Sequence, residues 1–151
     1  MSLALSLHLL AAVIWVGGMF FAWVILRPVA GDLLEPPQRL TLWYHVFKRF
    51  FPWVWASMAV LLTTGLWMIF GVFGGMGGAA AHVHLMLATG LSMMAIFLHI
   101  WFAPFPRLGR AVASEDWPMG GKQLAQIRRL IGINLIIGMI TVLVASGGRY
   151  L

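Results

Sequence analysis

The sequence predicts an all-α integral membrane protein built as a bundle of four transmembrane helices. Hydrophobic residues make up 62% of the 151 residues and charged residues only 9%, whereas soluble domains carry far more charge. Four apolar stretches, at about 3–26, 51–73, 80–103 and 127–147, are each at least as long as the roughly 20 residues that a helix needs to cross a bilayer. A single domain over residues 1–151 accounts for all four helices.

The first stretch carries a histidine inside an otherwise apolar segment. We expect this helix to end at Leu26, because the following Arg27-Pro28 pair brings a proline that cannot continue it. Helical spacing places Ala12, Trp15 and Met19 on the face of His8. A histidine is costly in hydrocarbon, and a small neighbour leaves room for a flat ligand. His8, Ala12 and Trp15 are therefore candidate cofactor-binding residues, and a polar interfacial histidine is the alternative.

The second helix begins at residue 41 or at residue 51, depending on how an aromatic and basic segment is read. This segment, LWYHVFKRFFPWVW, has the composition of an interfacial belt, so we expect the helix to enter the hydrocarbon near Pro52. His45 then lies at the interface, where a solvated histidine is the simpler interpretation. The helix ends in the glycine-rich turn GVFGGMGG.

The third helix has two histidines at its start. His82 and His84 are two residues apart and point to nearly opposite sides of a helix, so only one can face the bundle centre. We predict that His84 does so, with Ala88, Leu91 and Ala95 continuing its face. Small residues again lie near the histidine, which makes His84 and Ala88 candidate cofactor-binding residues.

The connection from Pro104 to Gln126 is expected to contain a helix start at residues 114–116, SED, and a break at Gly120-Gly121. The fourth helix then carries Asn134 on a stripe of small residues. Such a stripe favours close helix packing and interhelical hydrogen bonds. We therefore expect Asn134 to be structural.

The basic residues predict the orientation of the bundle. Four lie between the first and second helices and five follow the third helix, whereas Arg149 alone lies on the other side. Short basic connections face the cytoplasm, so both termini and the glycine turn are expected on the outer, periplasmic side. The net charge of +6 is then a topology signal, and we expect the lipid bilayer, not nucleic acid, as partner. A homo-oligomer or a redox partner stays open.

This orientation places His8 and His84 at similar depth near the outer face, where they could ligate one metal. Two neutral imidazoles can supply both axial ligands of haem b iron, or they can hold copper. His82, His45, His99, Met19 and Met86 are alternative metal ligands. The chain has no cysteine, which excludes thiolate sites, and no acidic residue lies inside a predicted helix, which argues against a carboxylate metal cluster.

Three segments resemble the copper-resistance D (CopD-like) family of small integral membrane proteins. They are HLLAAVIWVGGMFFAWVILRP, FKRFFPWVW and the pair Thr64-Gly65. The layout is also similar to the HemJ-type protoporphyrinogen oxidases, in which a first-helix histidine and a third-helix lysine bind haem b. His8 matches that histidine, and His84 stands at the position of the lysine.

These resemblances imply a bacterial inner-membrane protein with one of two roles. Resemblance to the first family implies copper transport or copper homeostasis. Resemblance to the second implies electron transfer or haem-dependent porphyrin redox chemistry, which would make the protein an oxidoreductase. A structural or assembly subunit whose histidines bind nothing is the third alternative.

Overall fold

The computed structural model describes residues 2–148, and all regular secondary structure in this range is helical. Four helical segments are long and apolar enough to cross a membrane: Ser2–Leu33, Pro36–Gly71, Ala81–Ala113 and Trp117–Gly147. The prediction of an all-α protein with four membrane-spanning helices is confirmed. Arg149, which entered the orientation argument, lies outside the described residues.

The first segment continues beyond its predicted end. It comprises α1 (Ser2–Phe20), a π-helical stretch (Phe21–Leu26) and α2 (Arg27–Leu33). The prediction that Arg27-Pro28 ends the helix is wrong, because Pro28 falls in the first turn of α2 directly after the π-helical stretch. There the hydrogen-bond pattern has already shifted, and the proline interrupts no α-helical interior.

The second segment is one helix, α3 (Pro36–Gly71). It begins before either predicted start, with the Pro36-Pro37 pair in its first turn. A proline is well suited to this position, because the backbone N–H that it lacks would have no hydrogen-bond partner within the helix. The aromatic and basic segment is therefore part of α3. The glycine-rich turn follows, with left-handed backbone at Gly74 (φ 73°) and Gly75 (φ 102°), a conformation that glycine adopts without strain.

The third segment contains α4 (Ala81–Phe102) and α5 (Pro104–Ala113), and α6 (Trp117–Gly147) forms the fourth. The expected helix start is confirmed, since the Asp116 carboxylate caps α6 by accepting from the Met119 amide at 3.1 Å. The expected break at Gly120-Gly121 is wrong, and α6 begins well before residue 127. A Cβ at Gly120 would lie 3.2 Å from Leu40 Cδ1, so this glycine serves close packing against α3.

The helices pack as two close pairs. Helix α1 packs mainly against α3, and α4 packs mainly against α6, with α5 lying along α6. Asn134 ties the second pair together, since its Nδ2 donates to the Met93 carbonyl at 3.3 Å. The predicted structural role of Asn134 is confirmed.

We call the two ends of the bundle by their connections. The glycine-turn end contains residues 72–80, the beginning of α1 and the end of α6. The basic end contains the connection between α2 and α3 together with α5 and the beginning of α6.

The buried core lies toward the basic end. Trp43, Phe47 and Phe51 stack along α3 with ring centroids 5.1 Å apart, and Phe97 of α4 meets Phe51 edge to face at 5.3 Å. Toward the glycine-turn end the burial falls sharply. Ala11 in α1 is buried there, but no described residue of α4 before Met93 or of α6 after Gly138 is buried.

Candidate metal centre at the glycine-turn end

His8 makes a direct polar contact between the first and second membrane-spanning helices. Its Nδ1 lies 2.7 Å from the Thr64 hydroxyl oxygen. Thr64 follows Val60 by one helical turn, and its hydroxyl donates to the Val60 carbonyl. The close packing of α1 on α3 therefore positions an imidazole against a hydroxyl that already has an acceptor.

The Thr64 hydroxyl lies within hydrogen-bond distance of both the Val60 carbonyl and Nδ1 of His8. A hydroxyl has a single hydrogen. When that hydrogen goes to the Val60 carbonyl, the Thr64 oxygen accepts from His8, and the proton of the neutral imidazole is on Nδ1. The Nε2 atom of neutral His8 is left with a free lone pair, and metal-binding histidines in proteins are oriented in this way by a bond from their other nitrogen.

Gly65 allows the ring to lie close to α3. A Cβ at this position would be 3.4 Å from His8 Cε1, so a larger residue would press against the imidazole. The contact between Thr64 and His8 was not predicted from the sequence. The available signal was the Thr64-Gly65 pair within the family resemblance.

The other predicted residues of the first helix lie at different places relative to His8. Ala12 is partly buried one turn away. Trp15 is 2% exposed and meets Phe97 edge to face with centroids 6.4 Å apart, as a core residue does. Met19 is also buried and lies eleven residues from His8, about 16 Å along the helix. His8 and Met19 therefore cannot bind one ion together.

The buried face of α4 differs from the predicted one. Ala88, Leu91 and Ala95 are exposed, and the prediction that they face the bundle is wrong. The residues that α4 buries are Met93, Met94, Phe97 and Ile100, because these large side chains fill the space between helices. His84 and Met86 are both partly buried.

His82 lies against the end of α6. A Cβ placed on Gly148 would be 2.7 Å from the His82 Cβ, so the two backbones approach closely at this point. His84, two residues further, points to another side of α4. That His84 and not His82 faces the bundle centre stays a prediction.

The remaining histidines lie toward the basic end. His45 is exposed on α3 and packs its ring edge to face on Tyr44 with centroids 5.5 Å apart. His99 is exposed on α4, and its Nε2 lies 3.5 Å from Nε2 of Gln126. His45 precedes Thr64 by 19 residues on α3, about 28 Å along the helix, and His99 follows His84 by about 22 Å along α4. Both therefore lie away from the glycine-turn end.

The described residues contain no preformed site with many charged ligands. Within residues 2–148, no group of three or more His, Cys, Asp or Glu side chains is close enough to hold a metal ion together. A metal bound by His8 would therefore have one or two protein nitrogen ligands, with thioether or exogenous ligands completing its shell. Such sparse, soft coordination suits copper or haem iron better than zinc.

Comparison with protein families identifies the chain. The family model described as copper resistance protein D matches residues 44–147, which is more than half of the sequence. The chain belongs to the CopD family. A search of curated proteins found no match, and neither did a search of solved structures.

The CopD match covers only part of the proposed site. It includes Thr64, Gly65 and His84, whereas His8 precedes residue 44. The predicted copper-resistance resemblance is confirmed, and the similarity to HemJ-type oxidases is not shown. The chain is thus a CopD-family multi-pass membrane protein, for which the family name points to copper handling.

Proposed function

We propose that this CopD-family protein handles copper in the membrane, with Nε2 of His8 as its principal ligand. The observation that carries the proposal is the contact between Nδ1 of His8 and the Thr64 hydroxyl, because a hydrogen bond at Nδ1 leaves Nε2 for a metal. A histidine with no partner in this apolar segment would be a costly residue. Metal binding would account for a histidine at this position.

The second protein ligand in this proposal is His84. It lies at the start of α4, near the glycine turn, and is partly buried, so it is accessible from that end of the bundle. Thioether sulfur is a ligand that Cu(I) favours, but Met86 follows His84 by two residues and points to nearly the opposite side of α4. Copper in this account is the cargo of the protein and need not be permanently bound.

The proposed location is the bacterial inner membrane with the glycine-turn end on the periplasmic side. Support comes from the distribution of Lys and Arg, nine of which lie in the two segments assigned to the cytoplasmic side. Copper would then reach His84 and His8 from the periplasm. Both histidines are only partly buried, so the ion need not cross a packed core to reach them.

Haem b ligated by His8 and His84 is the second candidate. The observation that favours it is the limited burial around His8, where few residues are fully buried. A flat macrocycle needs surface that other side chains do not already cover. Electron transfer to a redox partner, or porphyrin oxidation, would then be the function, and a second copy of the chain could complete the pocket.

One sample can separate the two candidates. Protein purified in detergent after growth with added copper and haem precursor is divided between metal analysis and absorption spectroscopy. We expect bound copper in the wild type, loss of it in His8→Ala, and retention in His45→Ala, which removes an exposed histidine at the other end. A reduced-minus-oxidised haem spectrum that His8→Ala abolishes would instead favour haem. Copper and haem contents unaffected by His8→Ala would refute both.

A further inference from the structure

A groove lies between the first and fourth membrane-spanning helices at the basic end. Its volume is about 420 Å³, and it is lined by Trp23, Arg27, Arg128, Arg129, Gly132, Ile133 and neighbouring apolar residues of α6. It is thus basic at one end and apolar along α6. The groove shares no lining residue with the His8 site.

The basic part of the groove concentrates like charges. Arg128 is partly buried and close enough to Arg27 and Arg39 for their charges to oppose its own. Within residues 2–148, Arg39 alone among the arginines donates a side-chain hydrogen bond, to the Gly31 carbonyl at 3.5 Å. The orientation of the helices in the membrane accounts for basic residues at this end of the bundle, but it does not account for their clustering around one groove. An anion between them would relieve the repulsion.

The wall of the groove is built by the π-helical stretch of the first helix. Trp23 lies in this stretch, and the Arg27 guanidinium carbon sits 4.2 Å from the centroid of its ring. Trp23 can approach α6 because Gly132 has no side chain; a Cβ there would lie 2.8 Å from Trp23 Cη2. π-helical turns occur frequently at functional sites, and here the turn places an aromatic ring beside the guanidinium groups.

The apolar part of the groove continues into the membrane. Ile133 and Ile136 follow the arginines along α6 by one to two turns and are 42% and 62% exposed. An acyl chain lying on these residues would extend from a headgroup held between Arg27, Arg128 and Arg129. The order of charge and apolar surface along α6 thus matches the order of headgroup and chain in a phospholipid.

We propose that this groove binds one anionic phospholipid, whose phosphate contacts Arg128 and Arg129 and whose acyl chain lies along Ile133 and Ile136. Guanidinium groups form strong, two-pronged hydrogen bonds with phosphate. Basic pockets between membrane helices on the cytoplasmic side are a known mode of lipid headgroup binding. Zwitterionic lipids lack the net negative charge that the clustered arginines require.

Thermal unfolding in detergent micelles with added lipid tests the proposal. Phosphatidylglycerol is expected to raise the Tm of the wild type in a saturable way, because a ligand that binds only the folded state stabilises it. Phosphatidylcholine at the same concentration should have no such effect. Soluble glycerol 3-phosphate, which has the phosphate but no acyl chain, should not reproduce the effect of the lipid.

Matched variants locate the site. Arg129→Gln and Arg128→Gln should each weaken phosphatidylglycerol binding about tenfold, the loss of roughly one charge-assisted hydrogen bond. Arg107→Gln removes the same charge from an exposed position on α5 outside the groove and should leave binding unchanged. Arg129 is exposed, so its variant tests the proposal even if Arg128→Gln does not fold. Equal binding by Arg129→Gln and Arg107→Gln, or an equal response to phosphatidylcholine, would overturn the proposal.

Discussion

A single hydroxyl group determines how His8 can react. Thr64 donates its hydrogen to the Val60 carbonyl and uses its oxygen to accept from His8. In water both nitrogens of an imidazole form hydrogen bonds, and in hydrocarbon an imidazole without partners would lose both. The contact with Thr64 restores one of these two hydrogen bonds. Within residues 2–148 the other nitrogen makes no hydrogen bond, and in the proposal above it is the atom that binds copper.

Replacing Thr64 tests this dependence directly. Thr64→Val removes the oxygen that accepts from His8 while keeping the β-branched shape. We expect copper affinity to fall by about 10- to 100-fold, the usual effect of losing a partner behind a metal ligand. Isothermal titration with Cu(I) in a competing chelator would measure it.

The neighbouring residue provides the control for Thr64→Val. Thr63 is exposed, and its hydroxyl bonds to backbone carbonyls of α3, at 2.8 Å for Ala59. Thr63→Val therefore changes the helix in the same way without touching His8, and its copper affinity should equal that of the wild type. Identical losses in the two variants would show that the effect comes from the helix and not from His8.

The two histidines at the start of α4 should respond differently to replacement. His84→Ala is expected to weaken copper binding, since the proposal makes His84 the second ligand. His82→Ala keeps the Cβ that lies beside Gly148 and should leave both copper binding and Tm close to wild type. The reverse result, with copper lost only in His82→Ala, would make His82 the ligand and leave His8 in its role.

At the scale of single elements, local sequence signals failed where packing or a neighbouring turn outweighed them. A proline usually ends a regular α-helix, but Pro28 directly follows a π-helical stretch and so destabilises the helical segment little. A glycine weakens an isolated helix, but at Gly120 the missing side chain lets α6 pack closely against Leu40. Asp116 was identified correctly because capping is a local interaction that the sequence encodes within three residues.

Helical periodicity did not predict which face of α4 is buried. In a bilayer the lipid is as apolar as the protein core, so hydrophobic residues need not face inward. The prediction relied on small residues beside His84, whereas packing selected the larger side chains of Met93, Phe97 and Ile100. His8 was identified because a histidine inside an apolar helix is a strong signal, but its Thr64 partner is 56 residues away in sequence.

Adjacent glycines in α1 give a test of the packing of the first two helices. A Cβ at Gly18 would lie 2.4 Å from Cε2 and Cζ of Phe50, whereas one at Gly17 would meet nothing within 4 Å. We expect Gly18→Ala to lower the free energy of unfolding by about 1–3 kcal/mol through overpacking. Gly17→Ala should be neutral or stabilising by up to about 1 kcal/mol, because alanine favours helix.

Unfolding of both glycine variants in mixed detergent micelles, followed by circular dichroism, would measure the difference. Equal stability of the two variants would mean that Phe50 moves aside without cost. A larger loss in Gly17→Ala than in Gly18→Ala would contradict the packing of α1 on α3.

At the scale of the whole molecule, the two ends of the bundle differ in both packing and charge. The basic end contains the aromatic core and nearly all arginines and lysines, and the glycine-turn end contains His8, His82 and His84 with little buried surface. The densely packed residues thus lie at one end of the bundle and the candidate ligands at the other. The four spans and the end at which the basic residues lie were predictable from the sequence, whereas the difference in packing between the ends depends on which side chains meet and was not.

The absence of cysteine makes the orientation easy to test. Gly77→Cys introduces a thiol into the glycine turn at a position where a Cβ meets nothing within 4 Å, and Ser114→Cys introduces one at an exposed site between α5 and α6. In intact cells with a permeable outer membrane, a membrane-impermeant maleimide should label the first variant only. Labelling of Ser114→Cys alone would invert the orientation and move the histidines to the cytoplasmic side.

The central claim is that His8 binds its metal through Nε2 because Thr64 holds the proton on Nδ1. Nitrogen NMR of the protein labelled with ¹⁵N-histidine in detergent tests it most directly, with His8→Ala identifying the His8 signals. At neutral pH without metal, we predict a protonated Nδ1 and an unprotonated Nε2, and we predict that Cu(I) shifts the Nε2 signal. A protonated Nε2 in the metal-free protein, or an Nε2 signal unchanged while copper is bound, would contradict the account.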